Sequence, residues 1–240
     1  MKSLKRIKPS ARLGLRIATF GAALVAVANH ATADPATNWN VALLDKIIAA
    51  VPADQKLAPV GDMEILVTNL RTWRNQIAGE SVPGFAFDGV APAWTGGNLY
   101  YTFDASVSAA KQKAFLDGAA EWAMFANLHF IPRTSQPNYF TVLEDPTLGG
   151  GQSAVGMVGG QQFLKIGPGA WNRATICHEL GHTLGLVHEH QRSDRDAFVV
   201  ILTNNILPGS EGNFVKLGNT LNTGTYDFYS VMHYRRDAFS

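Results

Sequence analysis

Two histidines four positions apart, His178 and His182, flank Glu179 in the run NRATICHELGHTLGLVHEH. On a helix that spacing places both imidazoles on one face a turn apart. Two such rings can bind one Zn2+ at about 2.0–2.1 Å each. Glu179 is rotated off the ligand face yet stays close enough to work a water at the metal. This is the H-E-x-x-H arrangement of metal-dependent proteases. Gly185 follows His182 by three residues, and His188 follows Gly185 by three. A glycine there can take the left-handed conformation that ends a helix, so that His188 approaches from another side. Three neutral imidazoles with a fourth place open describe a catalytic zinc site, whereas structural sites close with four protein ligands. The expected cofactor is therefore one catalytic zinc ion held by His178, His182 and His188, with Glu179 as general base.

Those histidines need a helix, and the helix needs a core behind it. At 240 residues and 46% hydrophobic content, the chain can bury one sizeable core. NLYYTFD, LHFIPR, YFTVLE and QQFLKIG read as short strands, with one more expected between Ser153 and Val158. SAAKQKAFLDGAAEWAMFAN reads as an amphipathic helix with Phe115, Ala119, Trp122 and Ala126 on one face. Helices and strands together make an α+β class. The glycine run at 149–151 lacks the lysine and helix of a phosphate-binding loop, so no nucleotide is expected. Cys177 is the single cysteine. It excludes an internal disulfide and, about 100° round the helix from His178, should face away from the metal.

Charge is unevenly placed. Six Lys and Arg residues precede Asp34, the first acidic residue, and without them the whole-chain +1 becomes −5. Nothing there suggests a nucleic-acid surface. The basic stretch runs into the uncharged IATFGAALVAVA and then Ala31-Thr32-Ala33, the pattern of a cleavable signal peptide. The apolar run is shorter than the roughly 20 residues of a membrane span. Residues 1–33 are thus expected to be a signal peptide, leaving no membrane span and a secreted or periplasmic product. Residues 34–91 read as a short helix (VALLDKIIAAV) plus an extended connector, a propeptide or N-terminal arm too small for its own core. Residues 92–240 would be the catalytic domain.

HELGHTLGLVHEHQRSDRD, the later YDFYSVMHY, and WTGGNLYYTF, NLHFIPRT, SAVGMVGGQQFLKIG and ILPGSEGNFVK resemble segments of the astacin family of metzincins. The resemblance spans Trp94 to Ser240. It implies a zincin-like catalytic domain: a twisted mixed sheet with a backing helix and an active-site helix, acting on protein or peptide substrates. It implies further roles residue by residue. Tyr234 matches the tyrosine that ligates resting zinc and swings to support the transition state. Met232 matches the methionine beneath the metal, and Glu189 the acid that pairs with the freed N-terminus of the mature enzyme. Ser153, Ala154, Val155 and Gly156 match the cleft-edge strand on which substrate is laid antiparallel. In Val60-Gly61-Asp62-Met63, Asp62 matches the propeptide aspartate that fills the open zinc position, with Asp88 as a rival.

Two departures from the family pattern stand out. Its disulfide cysteines are missing, and Ser240 lies only six residues beyond Tyr234, so the C-terminal lobe is expected to be incomplete. The expected function is a secreted zinc endopeptidase. The alternative is an inactive or truncated metal-holding module that binds peptides.

Overall fold

The computed structural model describes residues 4–6, 35–78, 93–218, 222 and 224–240. The signal-peptide expectation therefore falls outside the described residues apart from 4–6, as do residues 79–91 and Asp88.

Among the described residues, nine strands and four helices follow in chain order: β1 (Leu4–Arg6), α1 (Pro35–Ala49), β2 (Leu57–Val60), β3 (Met63–Leu66), α2 (Val67–Ile77), β4 (Asn98–Phe103), α3 (Ala109–Phe125), β5 (His129–Pro132), β6 (Tyr139–Glu144), β7 (Gly151–Ala154), β8 (Gln161–Ile166), α4 (Arg173–Thr183) and β9 (Val199–Ile201). Seven strands form one mixed sheet in the order β2-β3-β7-β8-β6-β4-β5. Its centre is parallel, β7 runs antiparallel to β8, and β3 lies parallel to β7 on the other side. β1 pairs antiparallel with β9. The α+β expectation holds.

Alternation within the strands sets the faces. In β8, Gln162, Leu164 and Ile166 are buried while Gln161 and Phe163 are exposed, the period of two that one covered face requires. Against that face pack Phe115 and Ala119 of α3 and Ile176 and Leu180 of α4, with Leu99, Tyr101, Phe140 and Val142 from the sheet. Each large apolar side chain so buried contributes about 1.5–3 kcal/mol. The two helices approach closely at Gly118, where a Cβ would stand 2.6 Å from Ile176 Cγ2.

The N-terminal segment departs from the extended connector expected of it. Residues 57–66 form a β-hairpin that extends the sheet at the β7 edge, and residues 67–77 form a second helix. Leu44, Val60, Met63, Ile65, Leu70 and Trp73 make a second core together with Val155, Val215 and Leu217 from the rest of the chain. The segment is too small for a core alone, and it completes one by packing on residues within 155–217 of the rest of the chain. Val67, Leu70 and Trp73 carry the buried stripe of α2, which the intervening polar residues obscure.

The strand expected at the cleft edge also ends earlier than its sequence suggests. β7 covers Gly151 to Ala154, so Ser153 and Ala154 lie in it while Val155 and Gly156 lie beyond. Gly156 has φ of 71°, a left-handed conformation that terminates the extended run.

Candidate metal centre

Helix α4 starts at an Asn172 cap whose side chain accepts a hydrogen bond from the Thr175 N–H at 3.1 Å. It ends at Gly185, which has φ of 105°. The Gly185 N–H donates to the His182 carbonyl and the Leu186 N–H to the Gly181 carbonyl. This paired cap satisfies the last carbonyls and reverses the chain. Gly185 thus does what its position predicts, and His188 returns to face the helix.

His178, His182 and His188 come together. Their Nε2 atoms lie 3.0 Å apart for His178–His182 and 3.2 Å for His178–His188. Each opposite nitrogen, Nδ1, meets an oxygen that only accepts: the Val231 carbonyl at 2.7 Å, the Leu186 carbonyl at 2.8 Å and the Gln191 Oε1 at 2.8 Å. The Nδ1 atoms therefore carry the protons, and three Nε2 lone pairs point at one another. Lone pairs facing at such distances repel unless a cation sits among them. Tetrahedral zinc at 2.0–2.1 Å would set its nitrogens about 3.3 Å apart, close to the spacing found. The donor set fits zinc.

A fourth donor comes from the N-terminal segment. Asp62 Oδ2 is 3.2 Å from His178 Nε2, and its Oδ1 is 3.0 Å from His188 Nε2 and 3.8 Å from His182 Nε2. These four are the only His, Cys, Asp or Glu group suited to a metal among the described residues. Burial alone would raise the Asp62 carboxyl, but the imidazoles of His188, His178 and His182 outweigh it and hold it well below the usual range. Burial pushes His182 down to about 4, keeping its ring neutral, as a ligand must be. Gly61 (φ 67°) aims Asp62 inward, and a Cβ there would strike Asn213 Oδ1 at 2.4 Å.

Glu179 is 1% exposed, and its Oε2 is buried without a hydrogen-bond partner. Burial, then the Asp62 charge, raises its carboxyl well above 4.5. Tyr234 packs on His188 and His190 at ring distances of 4.4 and 4.3 Å and donates its hydroxyl to Asp62 Oδ1 at 3.4 Å. Burial and the neighbouring carboxylate raise that phenol well above its ordinary value. Met232 lies against α4 where Gly181 leaves room; a Cβ there would stand 2.5 Å from its Sδ. Glu189 accepts from Arg192 at 2.7 Å and from the Asp227 N–H at 2.9 Å. Cys177 turns away, its Sγ donating to Glu121 at 3.6 Å, with burial pushing its thiol up to about 11.

Three contributors escape the motif. Gly151 and Gly181 make room for Glu179 and Met232 respectively, and His190, fully buried, backs the Tyr234 ring. The glycine run at 149–151 was the only sequence signal for Gly151. An open cleft of about 520 Å3 lined by Asp62, His178, Val231 and Tyr234 leads to the centre. A larger groove of about 680 Å3 beside Trp122, Phe125 and Cys177 holds none of the converging donors. No described helix is long and apolar enough to cross a membrane.

Comparison with known proteins gives a consistent result. Residues 88–240 match the family model described as Astacin, a peptidase family. Human Tolloid-like protein 2 is 37% identical over 150 residues, covering 61% of this chain and 15% of that protein. The zinc metalloproteinase nas-15 of Caenorhabditis elegans is 36% identical over 152 residues, covering 61% and 26%. The chain thus spans a minor part of the length of both. High choriolytic enzyme 1, a hatching enzyme zinc-protease from the medaka Oryzias latipes, superposes with a TM-score of 0.59 at 31% identity, covering 67% of this chain and 80% of that one.

Proposed function

The chain belongs to the astacin family, and on that premise we propose that it is an exported zinc endopeptidase kept latent by its own N-terminal segment. The observation that carries the reading is the convergence of three Nε2 lone pairs, two of them from the helix that also carries Glu179, whose buried Oε2 has no hydrogen-bond partner. Zinc held by His178, His182 and His188 supplies a Lewis acid that brings the pKa of a water to about 7.

The chain's own groups then divide the work. Glu179, buried beside the metal site, takes the proton from the attacking water as general base. It later returns that proton to the departing amine. The Tyr234 hydroxyl donates to the oxyanion that develops on the scissile carbonyl. Met232 and the Glu189–Arg192 pair support the floor below. β7 receives the substrate as an added antiparallel strand.

Residues 34–91 act as the latency segment, with Asp62 in the fourth donor position. β3 lies parallel to β7, so the segment occupies the edge in the direction opposite to a substrate and presents no bond correctly for cleavage. Residues 1–33 direct export, which places the product in a secreted or periplasmic setting. Glu179→Gln tests the reading: zinc content persists and casein hydrolysis is lost. Retained hydrolysis would refute the general-base role, and wild-type chain that holds zinc yet cuts nothing after release of residues 34–91 would favour the metal-holding module.

A further inference from the structure

One charged side chain at the cleft edge has no part in that mechanism. Lys165 of β8 reaches across β7, its Nζ 2.7 Å from Gln152 Oε1 and 3.0 Å from Glu64 Oε1. The register sets Gln152 opposite Lys165 and Glu64 opposite Ala154. With the period of two, Lys165, Gln152, Ala154 and Glu64 share one face of the sheet. Met63 and Ile65 on either side of Glu64 point to the buried face. The Lys165 and Glu64 side chains keep only 21% and 20% of their exposure. Glu64 therefore sits in a formed acid-binding place, on the strand that covers the substrate edge.

We propose that Lys165, steadied by Gln152, is a specificity-determining residue that selects peptide substrates carrying an acidic side chain on the amino side of the scissile bond. Glu64 is the stand-in for that side chain. The inference rests on the peptidase reading above. A residue paired opposite Ala154 presents its side chain to this face whether its strand runs parallel or antiparallel, because alternation does not depend on direction. In the segment, Glu64 lies two residues C-terminal to Asp62. In a strand of reversed direction the equivalent residue lies about two residues N-terminal to the group at the metal. Ala154 is small, and nothing on β7 at that position competes for the Lys165 ammonium.

Peptides identical except for Glu, Gln or Lys at that position test this on zinc-loaded chain after proteolytic release of residues 34–91. The Glu peptide should exceed the Lys peptide in kcat/KM by about tenfold, through an attractive pair against a like-charge contact. Lys165→Glu should invert the order, which a merely structural role would not do. Equal rates in the wild type, or the same preference in Lys165→Glu, would overturn the proposal. Total failure to cut any peptide or casein counts against the peptidase reading instead, and a second measurement then decides this one. In the unprocessed chain the Val155 N–H donates to the Glu64 carbonyl, so its hydrogen exchange reports docking of β3. Glu64→Lys should speed that exchange several-fold, and adding Lys165→Glu should restore it. A charge swap without restoration would also overturn the proposal.

Discussion

A Cβ on Gly151 would stand 2.4 Å from Oε1 of Glu179. The first residue of β7 and the Glu179 carboxylate thus claim the same space, and only glycine lets both keep it. The pair joins strand β7 to helix α4. Further links reinforce it: the Ser153 hydroxyl lies 2.9 Å from that of Thr183, and the Gly156 N–H donates to the His182 carbonyl at 2.8 Å.

Gly151→Ala should accordingly displace the Glu179 carboxylate without touching the imidazoles. Displacement of a reacting group by about 1 Å costs on the order of a hundredfold in rate. The variant should hold a full complement of zinc and lose casein hydrolysis by about that factor. Unchanged hydrolysis would show that the carboxylate is not held where the geometry puts it.

Asp62→Asn should raise the activity of unprocessed chain. The carboxylate touches all three imidazoles within 3.0–3.8 Å, and its loss leaves the fourth donor position open to water. Casein hydrolysis before any release of residues 34–91 checks this; a variant as silent as the wild type would assign latency to the bulk of the segment rather than to Asp62.

Tyr234→Phe keeps the ring packed on His188 and His190 but removes the donor. Loss of one oxyanion donor costs on the order of a hundredfold in kcat. Steady-state kinetics on the processed chain should show that fall with KM little changed. A fall confined to KM would make the hydroxyl a binding contact only.

The site motif was readable because its spacings are local: an i, i+4 pair, a glycine cap and a third histidine soon after. Strands β4, β5, β6 and β8 were readable for the same reason, their aromatic and β-forming residues lying within each short segment. Gly151, Gly181 and His190 were not, since their roles consist in what another part of the chain brings to them. The hairpin at 57–66 and helix α2 share that difficulty, because their apolar residues are buried by Val155, Val215 and Leu217, far along the chain.

Asp196 accepts from Lys216 at 2.5 Å and from Arg195 at 3.1 Å. Burial opposes its ionisation, yet those two cations outweigh it and hold its carboxyl below 3.8. A lowered folded value means a stabilisation fully present above about pH 4 and lost as the pH falls further. Half-exposed, the pair contributes at most about 1 kcal/mol. Asp196→Asn should lower Tm at pH 7, and the difference from wild type should shrink toward pH 3. A difference that stayed constant over that range would point to packing instead.

Zinc analysis combined with X-ray absorption on the processed chain addresses the three imidazoles most directly. One zinc per chain is expected, with about three nitrogen neighbours at 2.0–2.1 Å, and His188→Ala should lower both the zinc content and the nitrogen count. Folded wild-type chain that binds no stoichiometric zinc, or binds it with fewer than three imidazoles, would contradict the account.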